Sequence, residues 1–344
     1  CIRDRDMAVT DGYVPDGSFI LHGELSDFPY KNHDGVFQVL FSPQDVNMRF
    51  MEGWPLLTDA SASVKFHNAS LIVTNAKGKT QDVELYNGYA EFLDLKNPHL
   101  TVKTDARGKN TNMQSYVWNS PLDDILGDTM RLFQFDGRND LNLTIDVPLN
   151  ITPVDVAIDG HLNFIDTEIY YPALGYEIKG INGVVDFTGN SVFADSVIAQ
   201  IDNEPVTINA FTENDGSDQQ VVFHLDGVVD IDYLLQRYVW VPEDWLSGRS
   251  HWSINFEIPN QPKDYLVHVK AKSYLEDVSI QMSDKVQKAK AEKVGLEADI
   301  NVLSGGFLKV DASITDVGVA EGDVFQVHEV DPLCRGGGER AGGG

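Results

Sequence analysis

The sequence has 344 residues, of which 53 are acidic and 26 basic, so its formal net charge is −27 at neutral pH. This charge excludes nucleic-acid binding and electrostatic docking on anionic lipid headgroups, which both require a basic surface. Hydrophobic residues make up 42% of the chain, too many for a disordered protein, and no apolar run approaches the roughly 20 residues of a membrane-spanning helix. At roughly 150 residues per domain, the composition predicts two domains or one long repetitive one.

The two ends of the chain differ from its interior. The only cysteines, Cys1 and Cys334, leave no disulfide framework or cysteine-based metal site to organise the fold. The chain begins without a secretory signal, and we expect it to be a segment of a longer protein. Residues 331–344 are rich in glycine and arginine and cannot bury apolar surface, so we predict a disordered tail that is an artefact.

Apolar and polar residues alternate along most of the chain, as they do in strands with one buried face. The alternation is visible at Val64 and Phe66 and is regular in 141–147, 252–258 and 294–302. Turn-forming residues separate such runs at spacings of roughly 8–12 residues, which predicts about 17 strands and an all-β fold.

Helix signals are few. Ser120-Pro121 followed by two aspartates has the pattern of a helix N-terminus, and apolar residues continue at roughly helical spacing to Phe135. Residues 230–239 fit a second short helix that ends before Pro242. The charged run 284–293 fits a third helix or a solvated connector, and its single large apolar residue favours the connector.

A hairpin pattern consisting of an apolar residue, any residue, Phe and a turn recurs at 64–68, 162–166 and 185–189. Repeats that bury one face only against their neighbours give elongated folds. Two or three short helices cannot cover so many strands, so the apolar face must pack on a second sheet or form a trough for an apolar ligand. The residues alone leave both arrangements open.

Motifs for catalysis and phosphate binding are absent from the sequence, which has no HExxH, GxSxG, GxxxxGK[ST] or strand-linked GxGxxG. The nine histidines are scattered, and residues 215–218 lack the ligand spacing of a calcium loop. The aromatic-rich stretch 233–252 fits either carbohydrate stacking or a corner where a helix meets the sheet. We therefore predict no catalytic residue, no metal site and no cofactor.

An ordered set of segments resembles the periplasmic part of the YhdP family of AsmA-like bacterial envelope proteins. In chain order the segments are 22–30 (HGELSDFPY), 35–39 (GVFQV), 53–60 (GWPLLTDA) running into 64–66 (VKF), 120–122 (SPL), the block 160–207, and 246–252 (LSGRSHW). Together they span about residues 17–260, and the strands that follow, to about residue 330, have the same style.

The resemblance implies a mainly β fold: an elongated, twisted, mostly antiparallel sheet curled into an apolar groove, with two or three short helices. It implies β-groove repeats in 1–120, a short helix and linker in 121–140, and further β-groove repeats in 141–330 with a short helix near 230–240. The tail 331–344 has no counterpart in the family.

The resemblance also implies a non-enzymatic function: phospholipid transport through the groove, which bridges the inner and outer membranes and supports the outer-membrane barrier. The location would be the periplasm of a Gram-negative bacterium, in a protein anchored in the inner membrane by an N-terminal helix outside this segment. Its partners would be phospholipid acyl chains, both membranes through parts outside this segment, and unidentified envelope proteins, but no nucleic acid. No cofactor or metal is implied.

Eleven apolar residues are predicted to line the groove, with ordinary core packing as the alternative for each. They are Phe66, Val73, Phe92, Val102, Leu143, Ile145, Phe164, Phe187, Phe223, Ile254 and Phe256. Two other functions are kept as alternatives: a scaffold for outer-membrane protein assembly or secretion, as proposed for TamB-like proteins, and a glycan-binding β-solenoid.

Overall fold

The computed structural model describes residues 9–32, 34–49, 53–94, 99–120, 122–123, 131, 133–148, 156–172, 176–215, 218–231, 246–259, 263–283, 286–303, 308–316 and 324–330. The chain divides into two units, Cys1–Ser191 and Val192–Gly344. Most of the described residues lie in antiparallel strands, beside one α-helix of nine residues and a 3-10 turn at Leu25–Asp27. The predicted mainly β, antiparallel fold with few helices is confirmed.

The first unit contains eleven strands and the helix. In chain order they are β1 (Val9–Tyr13), β2 (Gly17–His22), β3 (Val36–Phe41), β4 (Gln44–Met48), β5 (Leu57–His67), β6 (Ser70–Thr80), β7 (Val83–Phe92), β8 (His99–Lys109), α1 (Asn110–Trp118), β9 (Gln134–Pro148), β10 (Ala157–Tyr171) and β11 (Tyr176–Thr188).

Strands β5 to β10 each pair with the next strand in the chain, so that the series ends at β11. Strands β3 and β4 pair with the two halves of β5, while β2 pairs with β3 and β1 with β4. The break between β3 and β4 falls at Ser42-Pro43, since proline has no N–H to donate to a ladder. Such short strands are hard to recognise by alternation, which is why about 17 strands were predicted where the described residues form 21.

The second unit contains ten strands. They are β12 (Val192–Ile201), β13 (Glu204–Asp215), β14 (Asp218–Asp230), β15 (Leu246–Pro259), β16 (Val267–Ser273), β17 (Val278–Ser283), β18 (Val286–Lys288), β19 (Val294–Val302), β20 (Leu308–Asp316) and β21 (Val324–Val330). The pairing follows chain order, except that β16 pairs with β19. The hairpin of β17 and β18 instead pairs with the first residues of β15.

Most of the predicted helical regions cannot be compared with the structure, and the predicted connector contains a strand. The helix predicted to follow Ser120, the short helix near 230–240 and the tail 331–344 fall almost entirely outside the described residues. The run 284–293, interpreted as a solvated connector, contains β18. In β18, Lys288 is buried and its Nζ donates to the carbonyl oxygen of Val278 at 2.7 Å, while burial lowers the pKa of this amine.

A line of bulges bends the strands of the first unit. Asp59, Asn75, Asn87 and Asp166 have φ values of 51°, 52°, 52° and 48°, and the pairing register shifts beside each of them. Aspartate and asparagine tolerate this left-handed backbone better than other non-glycine residues do. Because a bulge bends its strand and increases the local twist, the bulges divide each of these strands into two differently oriented halves.

Candidate functional site

One face of the sheet in the first unit is apolar. Residues directly opposite each other in antiparallel strands project on the same face, so cross-strand partners can be followed as rows. The first row runs from β5 to β9 and consists of Phe66, Leu71, Phe92, Leu100 and Val147. The second row continues onto β10 and consists of Val64, Val73, Ala90, Val102, Ile145 and Ile158. Apolar contact is thus uninterrupted across five or six strands.

The opposite face of the first unit carries charges. Arg107 donates two hydrogen bonds to the carboxylate of Asp140, at 2.6 and 2.9 Å, and these lower the pKa of Asp140. His161 contacts Asp186 at 2.5 Å, and this hydrogen bond raises the pKa of the imidazole. The acidity of the chain is therefore compatible with an apolar face, because the charged side chains alternate with the apolar ones along each strand.

The second unit repeats the arrangement. One row consists of Leu225, Ile254, Ala271, Ala298 and Ala312, and the next of Phe223, Phe256, Val269, Ile300 and Val310. On the other face, His268 lies between the carboxylates of Glu257 and Asp299, at 3.1 and 2.7 Å, and Lys270 donates to Glu257 at 2.7 Å. Each unit therefore has a continuous apolar face, and in the second unit the opposite face combines these charged groups with the apolar side chains of Phe193, Phe211 and Val222.

The eleven predicted lining residues fall on these apolar faces. Eight share the apolar face of the first unit: Phe66, Val73, Phe92, Val102, Leu143, Ile145, Phe164 and Phe187. Phe223, Ile254 and Phe256 share the apolar face of the second. All eleven side chains are partly buried, and none is enclosed. Their contact with lipid stays a prediction.

Helix α1 covers one end of the apolar face in the first unit. It lies against β8 and β9, and Asn110 and Gln114 donate to the carbonyl oxygens of Asp136 and Phe133 at 2.7 and 3.1 Å. At this end of the strands Val83 and Ala106 are only 4% and 5% exposed. No periodic signal in the sequence predicts this helix, because the residues that it buries, Asn110 and Gln114, are polar.

An aromatic contact also holds helix α1 against the segment before β5. Tyr116 of α1 lies beside Trp54, with ring centroids 6.1 Å apart, and burial raises the pKa of its phenol to about 12. The segment that introduces β5 is thereby tied to the helix.

The hairpin of β17 and β18 covers the corresponding part of the second unit. Ile231, Leu275, Val278 and Ile280 form a buried cluster, against which Trp252 and Leu296 pack. Trp252 belongs to the aromatic-rich stretch 233–252, and its packing against this cluster makes its ring part of the core of the second unit. Residues 233–245 of that stretch, where a helix meeting the sheet was the alternative to carbohydrate stacking, lie outside the described residues.

In the second unit, the length of the apolar face that the β17–β18 hairpin leaves uncovered can be measured along β15. Beyond Trp252, strand β15 presents Ile254, Phe256 and Ile258 on the apolar face, all partly buried. The four steps along the strand from Ile254 to Ile258, at about 3.3 Å each, make this strip roughly 13 Å long. One leaflet of a bilayer contributes about half of a hydrocarbon core of roughly 30 Å, so the strip accommodates most of an extended acyl chain.

Within the described ranges, no group of three or more His, Cys, Asp or Glu residues is placed to hold a metal ion. In the same ranges, no helix has the length and apolar character needed to cross a membrane.

Comparison with known proteins gives one consistent result. The family model described as YhdP protein matches residues 6–315. The intermembrane phospholipid transporter YhdP of Escherichia coli (strain K12) is 25% identical over 220 residues, which are 64% of this chain and 17% of that protein. The matched region is therefore a small part of the relative's length. No solved structure matches the chain.

Proposed function

Since the chain belongs to the YhdP family, we propose that its apolar faces carry phospholipid between the inner and outer membranes. The supporting observation is the pair of uninterrupted apolar rows in each unit, together with the partial burial of all eleven predicted lining residues in and beside these rows. The Escherichia coli relative is named for intermembrane phospholipid transport, which agrees with this use of the face.

The energetics of an apolar row suit transport. Each methylene that leaves water gains about 0.8 kcal/mol, so an acyl chain is held by many small contacts rather than by one specific pocket. Because neighbouring positions along a row are chemically similar, a lipid moves between them at little cost. The headgroup stays in water, and the charged face takes no part in holding the acyl chain.

We propose that this function is non-enzymatic and that the eleven lining residues contact acyl chains. The supporting observation is that Phe92, Val102 and Ile145 lie in adjoining apolar rows, with charged residues confined to the opposite face. Transport along such rows requires no covalent step. We place the segment in the periplasm, in a longer protein anchored in the inner membrane, since the relative acts between membranes and is far longer than the match.

Photo-crosslinking from two neighbouring residues of β5 tests the proposal. Phe66 lies in an apolar row, whereas Lys65 projects from the opposite face and is exposed. A benzoylphenylalanine at position 66 is expected to crosslink to phospholipid in cells that express the chain at native level. The same residue at position 65 is the matched control and is expected to give little lipid adduct. Equal adducts from both positions, or none from either, would contradict the proposal.

A further inference from the structure

The site of the inference is Gly160, in an apolar row of β10. It lies directly opposite Leu143 of β9 and Phe187 of β11. A Cβ atom built on Gly160 would lie 2.6 Å from both Cε atoms of the Phe187 ring and closer still to its Cζ. Contacts this short do not occur, so the ring of Phe187 occupies the space that any side chain at position 160 would need.

Backbone conformation does not explain the glycine. Gly160 lies within an ordinary stretch of β10 and is not among the glycines with positive φ. Gly183 differs, because it faces Phe164 in the same hairpin but has a φ of 148°, which L-residues rarely adopt. A glycine at position 160 is thus required by space alone.

The geometry also fixes how the ring lies. The Cα atoms of directly opposed residues in antiparallel strands are about 4.5–5.5 Å apart. The ring of Phe187 spans this distance and covers the position that a Cβ of Gly160 would take, so it lies along the surface of the sheet instead of standing on it. A flat ring over a glycine adds apolar surface without adding height.

We propose that Gly160 keeps the lipid path open where β10 pairs with β11, because it lets the Phe187 ring lie flat and so sets the depth open to an acyl chain. The inference rests on the proposed transport of phospholipid. An alanine at position 160 displaces the ring away from the sheet, into the space above the apolar rows. The obstruction is local: positions near Gly160 lose lipid, while the second unit keeps it.

The test combines Gly160→Ala with two crosslinking reporters. Benzoylphenylalanine at Ile145, in the neighbouring row of β9, reports on the local path, and the same residue at Ile254 reports on the second unit. In Gly160→Ala we expect the phospholipid adduct at 145 to fall about fivefold, equivalent to ~1 kcal/mol, with the adduct at 254 unchanged. The double variant Gly160→Ala/Phe187→Leu is expected to restore the adduct at 145 to within about twofold, because a shorter side chain clears the path.

Two controls separate obstruction from misfolding. Gly189→Ala is the matched glycine control, since a Cβ there has only the carbonyl oxygen of Val156 nearby, at 3.9 Å. Phe187→Leu alone removes apolar contact from the lining without adding bulk at position 160, so the adduct at 145 is expected to fall by no more than about twofold, whether or not Gly160→Ala folds. Circular dichroism and thermal unfolding of each variant identify any loss of structure.

Three results overturn the inference: an unchanged adduct at 145 in folded Gly160→Ala, no restoration in the double variant, or a fivefold loss in Phe187→Leu alone. Absence of adducts from both 145 and 254 in the unsubstituted chain is a different result. It refutes the proposed function, and the inference falls with it.

Discussion

Neighbouring residues of β15 offer the sharpest test of the division between the two faces. Ile254 lies in an apolar row, opposite Leu225 and Ala271, whereas Ser253 lies on the other face, opposite Asp226 and Lys272. Ile254→Asp and Ser253→Asp introduce the same charge one residue apart. The first places a carboxylate among apolar side chains, and the second places it between an aspartate and a lysine on the charged face.

The expected difference follows from the contacts. Full burial of an isoleucine side chain is worth about 1.5–3 kcal/mol, so the partly buried Ile254 loses roughly half of this when replaced. A bound acyl chain also loses contact for two or three methylenes, or ~2 kcal/mol, which lowers lipid occupancy at this position about thirtyfold. Ser253→Asp removes no apolar contact and should leave lipid occupancy within about twofold of the unsubstituted chain.

The assay is quantitative mass spectrometry of phospholipid that co-purifies with each variant, combined with crosslinking from Phe256 in the adjoining row. Circular dichroism and thermal unfolding show whether both variants retain the β fold. If folded Ile254→Asp carries as much lipid at this position as Ser253→Asp does, the apolar face is not the binding surface and the reasoning fails.

Three further predictions concern the fold and its charged face. Val278→Ala shortens a fully buried side chain in the cluster beside the hairpin and should lower the free energy of unfolding, measured by urea denaturation, by about 2 kcal/mol. A loss below about 0.5 kcal/mol would show that the cluster does not support the second unit. The Arg107 contacts lower the pKa of Asp140, so this pair stabilises the fold above about pH 4, and the contribution disappears as the pH falls through the lowered pKa. In Arg107→Ala, NMR titration of the Asp140 carboxyl should show its pKa rising towards the ordinary value, and an unchanged pKa would contradict the pairing. The Asp186 contact raises the pKa of His161, so this pair stabilises the fold below about pH 6.5, and its contribution disappears as the pH rises through the raised pKa. Asp186→Asn should lower the pKa of the His161 imidazole in an NMR titration, and an unchanged titration curve would argue against the contact.

The strands and their faces could be predicted from the sequence because alternation reports directly on a surface with one buried side. Phe223 and Phe256 stand in separate strands and face each other across the ladder, as the predicted lining requires. The same signal cannot reveal α1. The two residues that this helix buries, Asn110 and Gln114, are polar, so no apolar periodicity marks it. The burial of Lys288 is hidden from the same signal, because its Nζ donates to a main-chain carbonyl oxygen instead of to water.

Spatial requirements between strands were also invisible in the sequence. Gly160 is one of 29 glycines, and only the pairing of β10 with β11 shows that its missing side chain makes room for Phe187. A pattern along one strand contains no information about which residue of another strand will lie over it. The length of the apolar strip on β15 depends on where the β17–β18 hairpin ends, so it too could not be read from alternation.

The strict pairing of β10 restricts how this protein can change length during evolution. Deleting one residue between Gly160 and Phe164 would reverse the faces of the β10 residues on one side of the deletion, turning polar side chains inwards and exposing their apolar neighbours to solvent. At Asp166 the ladder already accommodates an unpaired residue. Insertions and deletions among relatives should therefore accumulate at the bulges and in the turns between strands, leaving the paired segments constant in length.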